Sequence, residues 1–168
     1  IILILAGILF SGIKETARIA ITMTLIEVAG IVMVILIGLP HLGEVNYLEL
    51  PHGLPGLLQA SALVFFAYMG FEEMVKLSEE TRNPERTIPL ALIIALAVSI
   101  FLYVLVSLAA VSVVGWEQLA ASRAPFAEVA SVALGPAAFT LISVIALFAT
   151  ANTALLMMMA SSRIIYGM

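Results

Sequence analysis

Cysteine and aspartate are absent from the 168-residue chain, and charged residues of any kind are scarce. Without cysteine there is no disulfide framework and no thiolate metal site, so cysteine usage gives no information on redox compartment. Charged residues make up 11% of the chain, whereas a soluble domain has about 25%. The hydrophobic share is 63% and the mean hydropathy is +1.20. The composition therefore excludes a water-soluble globule and favours a membrane protein.

Basic residues and enzyme motifs are equally sparse. The seven Lys and Arg form no run that could follow a phosphate backbone, so nucleic acid is not an expected partner. The sequence has no HExxH, no GxSxG and no glycine-rich phosphate loop, and its two histidines, His41 and His52, flank one loop. We therefore expect no enzyme activity, no cofactor, and no catalytic or metal-ligating residues.

Long apolar runs fill most of the chain. Each of the long segments can cross about 30 Å of hydrocarbon as a helix, so we predict an all-α polytopic membrane protein. Because residue 1 is Ile and the first run is about half a span, we expect one transmembrane domain from a longer polypeptide. The prediction is the end of a truncated helix at 1–11 and transmembrane helices at 16–39, 57–81, 88–114 and 136–162.

The positions of the basic residues predict an orientation. Six lie in the first and third connections and at the final end, which are Lys14, Arg18, Lys76, Arg82, Arg86 and Arg163. The second and fourth connections hold only Arg123. By the positive-inside rule, the first and third connections and the final end are cytoplasmic. We expect a multi-pass protein of the plasma membrane in contact with the lipid bilayer.

The segment 57–81 departs from a plain span near Gly70. About 20 Å of apolar helix precedes Gly70, Phe71, Glu72 and Glu73, so a glycine and two carboxylates fall close to the bilayer midplane. Two interpretations remain open. The helix is broken near Gly70, as in transporters whose unwound helices coordinate ions and substrate. Alternatively, a short tilted helix ends in an ordinary glycine cap, with both carboxylates in interfacial water.

Glu27 lies at about the centre of the segment 16–39, where a charge costs about 3 kcal/mol even on the mild insertion scale. It is expected to face the protein interior. Its functional interpretation is a proton carrier or cation ligand, because burial favours the neutral, exchangeable form of a carboxylate. Its structural interpretation is a permanently protonated side chain bonded to a neighbouring helix.

The last segment carries polar residues at its centre: Thr150, Asn152 and Thr153. Small and hydroxyl-bearing residues commonly pack membrane helices together, and an ion or substrate contact is the alternative. Because these residues, Glu27 and Gly70 lie at similar depth, one shared midplane site would explain all three irregularities.

Two adjoining stretches resemble a known family. Residues 65–72 read FFAYMGFE and residues 79–89 read EETRNPERTIP. This pair, with its spacing kept, resembles the motif of amino acid permeases in the amino acid, polyamine and organocation (APC) superfamily. The remaining segments are similar to the end of the family's fourth helix through its eighth.

The resemblance implies a secondary transporter with the inverted five-plus-five helix fold of the leucine-transporter type, working by alternating access. It implies symport or antiport of an amino acid or related amine, coupled to protons or to exchange. The missing helices of the same polypeptide would complete the site. The alternative outside this class is a non-transporting, membrane-embedded structural or accessory subunit.

The resemblance also implies roles for single residues. The substrate-binding positions are the carbonyls of Phe66, Ala67 and Met69, the break at Gly70, and aromatic covers from Phe66 and Phe71. Glu72 matches a gate or proton-linked acid, and Glu80, Arg82 and Arg86 match a cytoplasmic latch. Glu27 stands where several proton-coupled members have a lysine, so a lysine-type mechanism does not transfer.

Overall fold

The computed structural model describes residues 2–71, 73–76, 78 and 81–167, and throughout these ranges the regular structure is helical, with no strand. The helices are α1 (Ile2–Phe10), α2 (Ile13–Gly38), a 3₁₀ turn (Leu39–His41), α3 (Gly53–Phe66), α4 (Glu73–Lys76), α5 (Pro84–Val114), α6 (Trp116–Ala121), α7 (Pro125–Leu134) and α8 (Pro136–Gly167). The expected all-α polytopic architecture is confirmed at this level.

Within the described ranges, three helices are long and apolar enough to cross a membrane: Ile13–His41, Pro84–Val114 and Pro136–Arg163. The segment at 57–81, where an irregularity near Gly70 was predicted, is divided between α3, a turn and the short α4. At 14 residues, α3 is about 21 Å long, less than the hydrocarbon thickness. The helix before Gly70 is therefore shorter than a full membrane span.

Several predicted boundaries differ from the observed ones. Helix α5 begins at Pro84, four residues before the predicted start, and continues through Pro89. Asn83 occupies the N-cap position in the left-handed conformation, with φ 53°, and its side chain makes no capping bond. Its carbonyl instead accepts the N–H groups of Arg86 and Thr87 at 3.1 and 3.0 Å. The start of α5 is thus held by backbone hydrogen bonds and by the favourable first-turn Pro84.

The largest buried cluster joins α2, α5, α7 and α8 through Val34, Val106, Val129 and Ile142. Helices α2 and α5 approach closely at Gly38, where an added Cβ would lie 2.6 Å from the Cα of Ala109. Small residues permit such close approach between membrane helices. A second cluster, Leu5, Ala20 and Leu155, packs α1 against α2 and α8.

The loop between the 3₁₀ turn and α3 is attached to α5 by Tyr47. Its hydroxyl lies 2.6 Å from Ser112 Oγ, and Ser112 itself donates to the Leu108 carbonyl at 2.7 Å. Because that proton is used, the Tyr47 hydroxyl donates to Ser112 and accepts the Gly43 N–H at 2.8 Å. These bonds fix the loop at 42–52, called the outer loop below, to α5.

Much of the outer surface is apolar, with Leu3, Phe10 and Leu63 exposed by 87%, 92% and 73%. An apolar surface of this extent is unstable in water and requires lipid or further protein against it. The chain is thus part of an integral membrane protein.

Candidate functional site

The first element of the site is the turn that follows α3. The N–H groups of Ala67, Tyr68 and Met69 donate to the carbonyls of the residues three positions earlier, at 3.0, 3.1 and 3.2 Å. Gly70 then has φ 111°, which a helix does not contain and which side-chain-bearing residues rarely adopt. Together these features end α3 inside an otherwise apolar segment.

The turn brings together the residues that the resemblance implies for substrate binding. The Phe66 and Met69 side chains are 72% and 60% exposed, Ala67 is exposed, and Phe71 is half-buried. The Phe66 carbonyl accepts the Met69 N–H, and Gly70 also has an interaction partner. Glu72, the implied gate, lies outside the described residues.

An aromatic contact connects the turn to α5. The rings of Tyr68 and Tyr103 meet edge to face with centroids 6.0 Å apart, a favourable geometry for aromatic pairs. By contrast, the backbone of α3 does not closely approach any other described helix. The Tyr68–Tyr103 contact therefore holds the turn against α5, whereas no other described helix packs closely along the sides of α3.

The second element of the site joins α2 to α8 through Glu27 and Asn152. Asn152 Nδ2 donates to Glu27 Oε1 at 2.8 Å and to Thr24 Oγ1 at 3.0 Å. Asn152 is 3% exposed, and its Oδ1 has no hydrogen-bond partner among the described residues. Glu27 is half-buried. An amide donor thus holds a carboxylate near the middle of two membrane-spanning helices.

Thr24 was not identified from the sequence. Its hydroxyl donates to the Ala20 carbonyl at 3.0 Å and accepts from Asn152, so it uses both functions of one oxygen. A lone threonine in an apolar helix normally bonds its own backbone, and no sequence signal distinguishes one that also faces a partner helix. Only its position one turn before Glu27 could have suggested it.

Thr150 and Thr153 do not join this group. Their hydroxyls donate to the carbonyls of Ala146 and Ala149 at 3.0 and 3.1 Å, and both side chains are exposed. In the part of the chain that the structure describes, no hydrogen bond connects the turn after α3 with Glu27 or Asn152. Two of the three irregular segments therefore meet directly, and the turn remains separate from them.

The residues of the implied cytoplasmic latch lie at the start of α5. Arg82 and Arg86 are both exposed, and the Arg82 carbonyl accepts the Thr87 hydroxyl at 2.9 Å. Glu80 lies outside the described residues. The structure thus locates the two arginines but not their implied acidic partner.

Comparison with known families covers the whole chain. Residues 1–168 match the family described as amino acid permease. The chain belongs to this family. The membership confirms the resemblance to the APC superfamily seen in the motif around Gly70.

Curated relatives of this permease chain carry different substrate names. A methylthioribose transporter of Bacillus subtilis (strain 168) is 35% identical over 71% of the chain and 26% of its own length. Cationic amino acid transporter 4, vacuolar, of Arabidopsis thaliana is 36% identical over 71% of the chain and 21% of its own length. The branched-chain amino acid permease BcaP of B. subtilis is 28% identical over 100% of the chain and 36% of its own length. The chain therefore spans about a fifth to a third of these relatives, which are named as transporters or permeases.

Proposed function

We propose that the chain is part of a secondary active transporter that moves an amino acid or related amine by alternating access. The family membership supports this class, and the relatives are named for methylthioribose, cationic and branched-chain substrates. We further propose the leucine-transporter-type fold and the plasma membrane, although one relative is named as vacuolar. The substrate class is drawn from the family, while the individual side chain is left open.

The observation that carries this proposal is the interruption of the apolar segment by the turn at 67–70. The end of a helix leaves carbonyls without intrahelical partners, and such acceptors bind an ammonium group without a fixed negative charge. In the proposed site, the carbonyls of Phe66, Ala67 and Met69 face the substrate amine. Phe66 and Phe71 cover the substrate, and Glu72 acts as a gate or proton-linked acid.

Coupling is assigned to Glu27 in this proposal. Its carboxylate lies near the middle of α2 and is held by Asn152, an arrangement that positions one exchangeable charge between two spanning helices. Intramembrane acids of this kind commonly act in proton relays. Loss or gain of that charge would alter the attraction between α2 and α8. Thr150 and Thr153 remain candidates for additional ion or substrate contacts.

The cytoplasmic end is proposed to close through Glu80, Arg82 and Arg86. Arginine forms bidentate hydrogen bonds with carboxylates. A latch of this composition therefore opens and closes without any change in covalent bonds. Exposed pairs contribute only about 0–1 kcal/mol each, which suits a latch that must release at every cycle.

The test is uptake by proteoliposomes that contain the full-length polypeptide, measured with labelled amino acids of branched, basic and small side chains. We expect saturable uptake driven by a pH gradient, or exchange against substrate loaded inside. Glu27→Gln should remove the dependence on the pH gradient and preserve exchange, whereas Glu44→Gln in the outer loop should change neither. No saturable uptake or exchange across the panel would instead favour the accessory-subunit alternative.

A further inference from the structure

A cavity of about 510 Å³ lies between α2 and α8, apart from the turn after α3. One wall follows α2 from Glu27 to Val34, and the other follows α8 from Ala149 to Ile142. The segment at 123–127, which leads into α7, covers one end. Most of the lining is aliphatic, so the few charged groups determine what the cavity can hold.

One of those charged groups is Glu27, at the inner end. Asn152 occupies its Oε1, and no other hydrogen bond or ion pair connects Glu27 to the described residues. The second carboxylate oxygen therefore remains available to a donor inside the cavity. A carboxylate in an apolar setting binds an ammonium or guanidinium group more strongly than the same carboxylate in water.

The other charged group is Arg123, at the outer end. Val34, Ile142 and Ala127 belong to one buried cluster, so the start of α7 lies beside the outer ends of both walls. The end residues of each wall are seven positions apart in sequence, which is about 10 Å along a helix axis. Within the described ranges, Arg123 is exposed and forms no ion pair with Glu27.

This arrangement suits one class of ligand. A simple cation would be repelled by Arg123 at the outer end, and a simple anion would be repelled by Glu27 at the inner end. A molecule with an ammonium and a carboxylate at opposite ends of an aliphatic chain is complementary to both ends and to the walls. We propose that the cavity binds such a zwitterion, an ω-amino acid or a basic amino acid, with its amine at Glu27 and its carboxylate at Arg123.

This site is independent of the proposed transport site at the turn. It recognises charges that are separated by a chain, whereas the turn offers backbone acceptors to an α-amino group. A ligand at the cavity would also contact both α2 and α8 and would therefore bear on the coupling group itself. The two sites can be tested separately because they share no residue.

The test is calorimetric binding to the full-length protein in lipid nanodiscs, with 5-aminopentanoate, pentylamine and pentanoate as probes. We expect 5-aminopentanoate to bind at least about tenfold more tightly than either half-molecule, since each lacks one charged contact. Arg123→Gln should weaken 5-aminopentanoate binding about three- to tenfold and leave pentylamine binding unchanged. Glu117→Gln, which removes a charge from neighbouring α6, is the matched control and should have no effect.

Folding and location are checked in the same preparation. The melting temperature of Arg123→Gln should equal that of the parent protein, and Gly70→Val, altered at the turn, should still bind 5-aminopentanoate. Equal affinity for pentylamine and 5-aminopentanoate would overturn the proposal, as would unchanged 5-aminopentanoate binding in Arg123→Gln. Loss of binding in Gly70→Val, with binding retained in the similarly strained Gly115→Val, would assign the probe to the turn and would also overturn it.

Discussion

Asn152 on α8 makes two polar contacts with α2. Its amide uses both hydrogens, on Glu27 and Thr24, and its carbonyl oxygen is buried without a partner. An unsatisfied buried acceptor costs about 1–3 kcal/mol, while a hydrogen bond to a charged group contributes about twice as much as a neutral one. The Glu27 bond therefore offsets the cost of the orphan oxygen.

A double-mutant cycle measures this balance. Asn152→Leu should lower the free energy of unfolding by about 1–2 kcal/mol when Glu27 is present, because the carboxylate loses the amide donor of Asn152. In a Glu27→Leu background the same substitution should be near neutral, since the loss of the Thr24 bond is then offset by removal of the orphan oxygen and of the amide hydrogen that Glu27 no longer accepts. Unfolding in mixed micelles provides the measurement. Equal effects in both backgrounds would show that the two side chains are energetically independent.

The sequence was sufficient to select Glu27 and Asn152 separately, because each interrupts a long apolar run. It could not pair them, since the pairing depends on the rotation of two helices about their axes and on their relative depth. Thr150 and Thr153 illustrate the same limit: their composition suggested a site, yet their hydroxyls bond their own helix. The sequence identifies Arg123 only as a charged loop residue, because its neighbours in sequence do not indicate that the loop lies over a cavity.

At the scale of elements, the turn after α3 is the feature most visible in the sequence. Gly70 and the charges that follow it predicted an irregularity, and the structure has φ 111° at that glycine. An added Cβ at Gly70 would meet no atom within 4 Å, so a substitution there acts through backbone conformation and not through a collision. Gly115 has φ 82° and likewise no atom within 4 Å of an added Cβ, so Gly115→Val introduces the same kind of backbone strain away from the turn.

We predict that Gly70→Val lowers the initial rate of uptake at least about tenfold, which corresponds to an increase of about 1.4 kcal/mol in the activation free energy. Gly115→Val should lose similar stability, about 1–3 kcal/mol, while retaining most of the uptake. Initial rates and melting curves of both variants in proteoliposomes and micelles form the comparison. Equal loss of uptake in both would assign the effect to general destabilisation.

The packing of α2 against α5 gives a second prediction for an element. Gly38→Ala adds a methyl group close to the Ala109 backbone, which cannot move aside as a flexible side chain would. Overpacking of this kind costs about 1–3 kcal/mol. Gly7→Ala in α1 has no atom within 4 Å and should be neutral or stabilising by up to about 1 kcal/mol. The measurement is the free energy of unfolding of each variant in micelles. A neutral effect of Gly38→Ala would contradict the close contact.

Helix α7 shows where composition was insufficient for an element. By length alone, a ten-residue apolar helix such as Pro125–Leu134 is expected to lie along the membrane surface and not to span it. Ala127, Val129 and Ala130 are nevertheless fully buried against the long helices. Small and β-branched residues on one face suit both a surface helix and a packed one. The neighbouring helices, which the sequence does not position, determine the outcome.

For the molecule as a whole, the distribution of charge predicts the orientation in the bilayer. Six of the seven basic residues belong to connections that the positive-inside rule assigns to the cytoplasm. The absence of native cysteine makes this assignment directly measurable, because any introduced thiol is the only one in the chain.

Single cysteines at Leu48 and Ser11 should report opposite sides. Leu48 lies in the outer loop and is 88% exposed, and Ser11 lies exposed between α1 and α2. In intact cells that express the full-length protein, made cysteine-free elsewhere, an impermeant maleimide should label Leu48→Cys. Ser11→Cys should be labelled only after permeabilisation. The reverse pattern would invert the orientation and place Lys14 and Arg18 outside.

The missing lateral contacts of α3 have a mechanical consequence. A rod about 21 Å long that is joined to the rest of the molecule at its ends behaves as a lever, and Gly70 lies close to its fulcrum. A rotation of about 10° at that point displaces the far end by about 4 Å, while the Tyr68 and Tyr103 rings keep the fulcrum against α5. The outer end is in turn tethered through the loop that Tyr47 fixes to Ser112. A torsional change at Gly70 would therefore move the outer end of α3 only as far as the loop held by Tyr47 allows.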